Sequence, residues 1–344
     1  VQMLKEDGYD VTLFTNRVKD SWDLKVKPVV FDPESFRYLS DFDIIVASIY
    51  HDVKMLFSKG IRKLVHLCQG YEPIDYLSRI SGESVTERYQ RKGFLSLLES
   101  RLDILKFRKR IRQIEAVYAL PTFKAAVSKH LVELLESKYH QKCALIQNGI
   151  DLNIFHPYPE KVWGANRKIR ILSVGSADVG FKGIVDTLDA VEFLKQKGIE
   201  VELIRVSPGI PSRREKEGDL VHQFLTGVKE KEMAELYRDA DIFISSSLEG
   251  EGFGLPAIEA LASGVPSILT DISTYRNFNE NKDFAYFVPT HSPEKIAEGI
   301  ESFIRNVEFR NKCIENGLRV AHAFSLERTK NDLIKFMRDL HSEN

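Results

Sequence analysis

The segment Ile242 to Thr270, IFISSSLEGEGFGLPAIEALASGVPSILT, constrains this chain more than any other. It opens with the buried-strand run Ile242-Phe243-Ile244-Ser245 and continues into a loop carrying Gly250, Gly252 and Gly254. Pro256 follows where a first helical turn tolerates it, because the amide it lacks would have no partner there. Ala257 to Ala262 reads as a short helix ended by Gly264, and Val265 to Leu269 as the next strand. Strand, glycine loop, helix and strand make a βαβ unit whose loop lies at the carboxyl edge of a parallel sheet. Free amides at the helix start, with glycines that allow close backbone approach, suit an anion such as a diphosphate. Two carboxylates frame the loop, Glu251 before it and Glu259 on the helix, with seven residues between them.

The string Glu251-Gly252-Phe253-Gly254-Leu255-Pro256-Ala257-Ile258-Glu259-Ala260 resembles the E-x7-E signature of retaining glycosyltransferases of sequence family 4, which have the GT-B fold. The flanks Ala240-Asp241-Ile242-Phe243 and Ala262-Ser263-Gly264-Val265-Pro266 resemble the family too. The resemblance covers most of residues 140 to 325 and is faint before them. It implies an α/β chain of two Rossmann-like parallel-sheet domains facing a central cleft. The bland alternative is an ordinary βαβ unit with a glycine-containing turn.

Composition agrees with that class. At 344 residues the chain can build two α/β domains, each with its own core. Hydrophobic content of 43% and charged content of 29% are ordinary for a globular protein. A formal net charge of -1 implies no global affinity for polyanions and hence no nucleic-acid partner. Cys68, Cys143 and Cys313 have no metal or redox spacing and read as small core residues in a reducing, cytoplasmic compartment. No apolar run reaches the length of a membrane span, and no signal peptide stands out. The chain starts without Met, directly in an amphipathic helix. The expectation is that a native N-terminal strand, and the glycine-rich loop the family carries there, are missing.

In the first half, a helix to Asp7 precedes a strand at Asp10 to Phe14, and apolar runs at Asp43 to Ser48 and Arg62 to Leu67 predict parallel strands. Glu115 to Ala119 is expected as a strand, Thr122 to Tyr139 as a helix and Lys142 to Ile146 as the last strand. Asn148-Gly149-Ile150-Asp151 has turn chemistry and matches the family's inter-domain linker. The expected domains are therefore an acceptor-side domain over 1–148 and a nucleotide-sugar domain over 149–325. A terminal helix, 326–344, is expected to cross back to the first. In the second half strands and helices alternate from Ile169 to Arg305, which argues for a parallel sheet covered on both faces.

Moving a sugar off a nucleoside diphosphate requires phosphate charge to be neutralised, sugar hydroxyls held and water excluded. Lys182, in Val179-Gly180-Phe181-Lys182-Gly183, stands after a strand and before a helix, where a phosphate contact belongs. It matches the family lysine on the donor diphosphate. Where the family has an arginine after the glycine of the preceding strand, Ser176 follows Gly175 here. Arg205, ending the next strand, is a candidate substitute, with a surface role the alternative. By the resemblance Glu251 contacts the donor sugar and Glu259 the ribose, while Gly252, Phe253, Gly254 and Leu255 line the donor loop. Thr226-Gly227-Val228 resembles the segment that pairs with the nucleobase. A carboxylate near a diphosphate is unfavourable unless it meets the sugar or developing positive charge, so Glu251 and Lys182 are the candidate catalytic residues. Enzymes of this family are thought to use the leaving diphosphate as the base, so no dedicated base, cofactor or metal is implied. Asp41-Phe42-Asp43 and Asp239-Ala240-Asp241 have DxD spacing but read as helix-to-strand turns.

Arg88 to Arg112 contains nine basic and two acidic residues, with Phe94, Leu97, Leu98, Leu102 and Leu105 at helical spacing. Two readings stand: peripheral docking on an anionic membrane, or an apolar stripe packed into the domain with solvated charges outside. The resemblance implies an acceptor that is a glycan or lipid-linked, and a setting in bacterial surface-polysaccharide assembly. Two rivals remain. An NADP-dependent oxidoreductase would use Gly175, Gly180 and Gly183, although their spacing is not G-x-G-x-x-G. A catalytically inactive GT-B partner subunit is favoured by Ser176 and disfavoured by Glu251, Glu259 and Lys182.

Overall fold

The computed structural model describes residues 2–16, 26–32, 34–81, 94–158, 163 and 168–342. The chain forms two compact units. One comprises Val1–Tyr38, Gln147–Glu249 and Gly254–Asn344, and the other Leu39–Ile146 and Gly250–Phe253.

The larger unit is built on a six-stranded, all-parallel sheet. Its strands are β7 (Ile169–Val174), β8 (Val201–Val206), β9 (Gln223–Leu225), β10 (Ile242–Ser245), β11 (Ser267–Thr270) and β12 (Tyr286–Val288). They lie in the order β12-β11-β10-β7-β8-β9. The chain runs outward from β7 to β9, then returns to the other side of β7 and runs outward again to β12. That reversal places the carboxyl ends of β7 and β10 side by side at the switch point of the sheet, where open α/β sheets bind ligands. Most strand positions are apolar because helices cover both faces, with Arg170, Glu202 and Arg205 the charged exceptions. On one face Ile171, Leu203, Ile242 and Ile268 of the sheet meet Leu188 and Val191 of the helix Ile184–Gln196, and Ile300 and Phe303 of the helix Pro293–Arg305. The terminal helix, Leu326–Ser342, is tied to the start of this unit: Thr329 Oγ1 donates to Gln147 O at 2.9 Å, and Lys330 Nζ meets Asp7 at 2.5 Å. A further two-stranded parallel sheet, β1 (Phe14–Thr15) and β2 (Val29–Val30), belongs to the same unit.

The smaller unit has a four-stranded parallel sheet in the order β3-β4-β5-β6: Ile45–Ala47, Leu64–Cys68, Phe123–Ala126 and Cys143–Leu145. Two expectations fail here. Glu115–Ala119 is not a strand; a single helix spans Phe94–Tyr118, burying Ile111, Ile114, Val117 and Tyr118 at helical spacing. The strand lies instead at Phe123–Ala126, inside the stretch expected to begin the helix that starts only at Lys129. Lys124 disguises it. A charge in mid-strand argues against burial, yet Lys124 is 2% exposed, with Nζ donating to Leu120 O at 2.8 Å and to Thr122 Oγ1 at 2.5 Å. Its neighbour across the ladder, His66, is buried edge-on against Tyr118, and burial holds its imidazole neutral down to about pH 3.

Burial also lowers the Lys124 ammonium to about 8, below the ~10.4 of an exposed lysine. Between those values the native state binds fewer protons than the unfolded chain, so stability due to this group rises with pH from 8 to 10. Lys124→Met keeps the stem and removes the charge. It should stabilise the protein by roughly 1–3 kcal/mol at pH 7, net of the hydrogen bonds lost, and by less near pH 10. Urea unfolding at both pH values measures this; a gain that fails to shrink with pH sinks the account.

Candidate functional site

Two turns leave the sheet at the switch point, and each is shaped by a glycine that nothing larger can replace. After β7, Gly175 continues the ladder by donating to Val206 O at 2.9 Å. At φ +142° its open side carries the stem of Lys182: a Cβ there would stand 3.2–3.5 Å from the lysine Cδ, Cγ and Cβ. Lys182 closes the short 3-10 turn Gly180–Lys182, and its Nζ lies 5.5 Å from the centre of the Phe181 ring. Gly183 follows at φ +59°, and a Cβ there would fall 1.9 Å from the carbonyl oxygen of Ser246, just past β10. Ser246 Oγ donates to Gly183 O at 2.7 Å, and the Leu248 amide donates to Phe181 O at 2.7 Å. The Lys182 turn is thereby fastened to the first residues of the second loop.

Arg205, on β8, has no exposed surface. Its Nε meets Glu215 Oε1 at 3.0 Å, Nη1 donates to Ser173 O and Oγ, and Nη2 donates to Gly175 O. The expectation of an arginine meeting a phosphate directly, or lying on the surface, does not describe this side chain: its donors are spent within the unit. With no exposed surface, it also presents nothing to the 2′-phosphate of a dinucleotide.

The second loop re-enters the larger unit at Gly254, left-handed at φ +83°, where a Cβ would stand 2.5 Å from Tyr275 Cε1. Gly254 caps the helix Leu255–Ala262, which has Pro256 in its first turn and no side-chain cap. Glu259 is partly buried on this helix and accepts a 2.8 Å hydrogen bond from the hydroxyl of Tyr237. Burial raises the Glu259 carboxyl to about 7, with the Tyr237 hydrogen bond opposing that rise. Val228 follows Gly227, left-handed at φ +65°, between β9 and the helix Glu230–Asp239 that supplies Tyr237. The remaining loop residues group with the smaller unit. There Gly252 accepts a 2.8 Å hydrogen bond from Ser128 Oγ, and a Cβ on it would strike Gln69 O at 1.9 Å. Glu251 is 7% exposed and Phe253 4%. Gly175 thus adjoins both Lys182 and Arg205, and Glu259 is set on its own helix. The Asp239-Ala240-Asp241 pair is structural: both carboxylates bind Arg170, Asp239 through the side chain and Asp241 through the backbone amide at 2.8 Å.

Comparison with known proteins identifies the family that residues 161–320 match. The profile described as Glycosyl transferases group 1 matches residues 161–320. Residues 161–320 belong to the glycosyl transferases group 1 family. The phosphatidyl-myo-inositol mannosyltransferase of Mycobacterium leprae is 25% identical over 182 residues, 52% of this chain and 49% of that protein. The chain spans about half the length of the curated relatives it matches. Among solved structures, sucrose-phosphate synthase from Thermosynechococcus elongatus superposes with a TM-score of 0.74 at 17% identity. The match covers 99% of this chain and 92% of that one. Anabaena HepE in complex with UDP-glucose gives 0.66 at 15% identity, over 91% of this chain and 86% of that one. These likenesses establish the fold, which is GT-B.

Sequence reasoning missed three supporting residues. Tyr237, Ser246 and Glu215 bond to Glu259, Gly183 and Arg205, and although Ser246 lies in the opening segment and Glu215 in a Ser-x-x-Glu capping box, neither signal named these partners. Glu259 yields a stability test. Its folded-state value of about 7 exceeds the ~4.3 of an exposed glutamate. The native state therefore binds the extra proton between those values, so stability due to this group falls as pH rises from about 4.5 to 7. Glu259→Gln, which stays neutral throughout, should remove a slope totalling on the order of 2–3 kcal/mol. Unfolding free energies of wild type and variant from pH 4.5 to 8 check this; parallel curves refute it.

Proposed function

We propose that this protein is a retaining glycosyltransferase that moves a hexose from a nucleoside-diphosphate sugar to a glycan or lipid-linked acceptor. One observation carries the reading: Lys182 lies on a turn opened by Gly175 at the switch point of the group 1 domain, fastened to the loop that leads from β10 towards Glu251 and Glu259. An ammonium there would neutralise the departing diphosphate. The helix Leu255–Ala262 begins at the far end of the same loop, with the positive end of its dipole there. Glu259, once ionised, can accept from two ribose hydroxyls, and its place on a helix makes that geometry rigid. Glu251 is assigned to the donor sugar, where positive charge develops at the anomeric carbon. The leaving diphosphate takes the acceptor proton, so no protein base is needed, and Lys182 supplies the charge neutralisation that a metal ion would otherwise give. Mannose is the first sugar to test, since the M. leprae relative is named as a mannosyltransferase. Three buried free cysteines fit a reducing, cytoplasmic setting.

Kinetics separate the three roles. Lys182→Ala should lower kcat/KM by ~2–4 kcal/mol, about 30- to 1,000-fold, as loss of one electrostatic contact to a transition state does. Glu259→Ala should chiefly raise the donor KM, because ribose binding is alike in ground and transition states, whereas Glu251→Ala should chiefly lower kcat. Wild type is first screened for turnover of GDP- and UDP-linked mannose and glucose. No release of nucleoside diphosphate from any of them, with or without glycan acceptors, rejects the proposal.

The acceptor side extends to membranes. Residues 88–93 of the basic segment lie outside the described residues. Within the helix Phe94–Tyr118, the inner stripe from Ile111 to Tyr118 packs in the core. Leu102 and Leu105 are instead 56% and 60% exposed, beside exposed Lys106, Arg108 and Lys109. No helix among the described residues is long and apolar enough to cross a bilayer. Exposed leucines among cations suit shallow docking on anionic lipid. Binding to vesicles containing phosphatidylglycerol should weaken steeply between low and physiological salt. Leu102→Asp with Leu105→Asp should abolish it, and equal binding to neutral vesicles argues for packing alone.

A further inference from the structure

The one fully buried arginine among the described residues of the larger unit's strands stands in an apolar position. Arg205 sits in VELIRV, between Ile204 and Val206, where strand pairing alone calls for an aliphatic side chain. A buried guanidinium is costly unless every donor direction is met. Here all three nitrogens are engaged, and the partners share one location. Two of its nitrogens donate to carbonyls at the carboxyl end of β7, Ser173 O and Gly175 O. The third meets Glu215. Glu215 is itself held by a capping box, its Oε2 accepting from the Ser212 amide at 2.8 Å as the Glu215 amide donates to Ser212 Oγ at 3.4 Å. The segment that follows β8 is thus folded back so that its carboxylate balances the charge of Arg205.

The carbonyl gripped by Nη2 is that of Gly175, the residue whose open face carries the methylenes of Lys182. Ladder pairing ends at Val174–Val206 and the Gly175 amide, so nothing else shown fixes the Gly175 peptide on its carbonyl side. We propose that Arg205, charge-balanced by Glu215, is a positioning residue. It extends the β7 ladder by one peptide and so sets the floor on which Lys182 lies when the donor diphosphate binds. This rests on the reading of Lys182 as the diphosphate contact. Arg205 never touches the nucleotide; its effect is confined to the increment in affinity that the second phosphate supplies.

Two variants test this. Arg205→Met with Glu215→Gln removes both charges together, which buried pairs often tolerate, and glutamine retains the capping box. Arg205→Lys keeps the charge but loses the planar fork that spans three partners. Calorimetry with UDP, UMP, GDP and GMP measures, for whichever base binds, the ratio of monophosphate to diphosphate Kd. In both variants that ratio should fall at least tenfold while monophosphate affinity stays within about twofold. In a Lys182→Ala background the same changes should cost less than a further twofold, because the group they act through is gone. Equal weakening of mono- and diphosphate, an unchanged ratio, or losses that add to those of Lys182→Ala would each overturn the proposal. Loss of folding in both variants would do so too, leaving Arg205 a residue of stability alone. The underlying reading fails separately: wild type would then bind neither diphosphate, or Lys182→Ala alone would leave the ratio intact.

Discussion

The contact on which the larger unit's site depends is the approach of the Gly183 backbone to the Ser246 carbonyl, close enough to exclude any side chain. It joins the turn after β7 to the loop after β10, which sequence separates by more than sixty residues. Parallel pairing makes this meeting unavoidable. In the order β12-β11-β10-β7-β8-β9 the chain reverses between β7 and β10, and both carboxyl ends emerge at one place. Glycines at 175, 183 and 254 let backbone pack where side chains would keep the loops apart. Hydrogen bonds from Ser246 and the Leu248 amide then hold them in place.

Around this contact the structure places charge in two different ways. Arg205 and Glu215 are buried but paired and hydrogen-bonded through all three guanidinium nitrogens, so their cost is offset by bonds that also order the β7 terminus. Lys124 is buried and Glu259 partly so, each with only neutral hydrogen-bond partners, and both are pushed towards their uncharged forms. Lys124 does this in the smaller unit's sheet, where it reads as a residue kept for local packing. Glu259 does so on the helix that carries the family signature. A carboxylate lifted towards neutrality by its surroundings is the commoner mark of a functional position. The comparison turns on location as much as on titration.

Much of the fold was legible in the sequence of the second half. Apolar runs alternating with amphipathic stretches marked its parallel sheet, because strands covered on both faces have no polar positions to spare. The turns at Gly183 and Gly254 were legible for a local reason: tight, left-handed turns need glycine at particular spacings. The first half was harder. A strand of four residues with lysine inside it, and a helix running on through Glu115 to Tyr118, break the correspondence between polarity and exposure on which periodicity depends.

By itself, the sequence determined what short-range physics controls: which segments form buried strands, where glycine permits a turn, and which carboxylates and which lysine flank it. Only the tertiary structure decided the partners of those groups. Nothing local told that Arg205 turns inward to Gly175 and Glu215 rather than outward to a phosphate, or that Tyr237 lies beneath Glu259. A guanidinium's role depends on which acceptors surround it. Those acceptors come from strands and crossovers whose adjacency follows from sheet order, a property of the whole chain and of no single stretch.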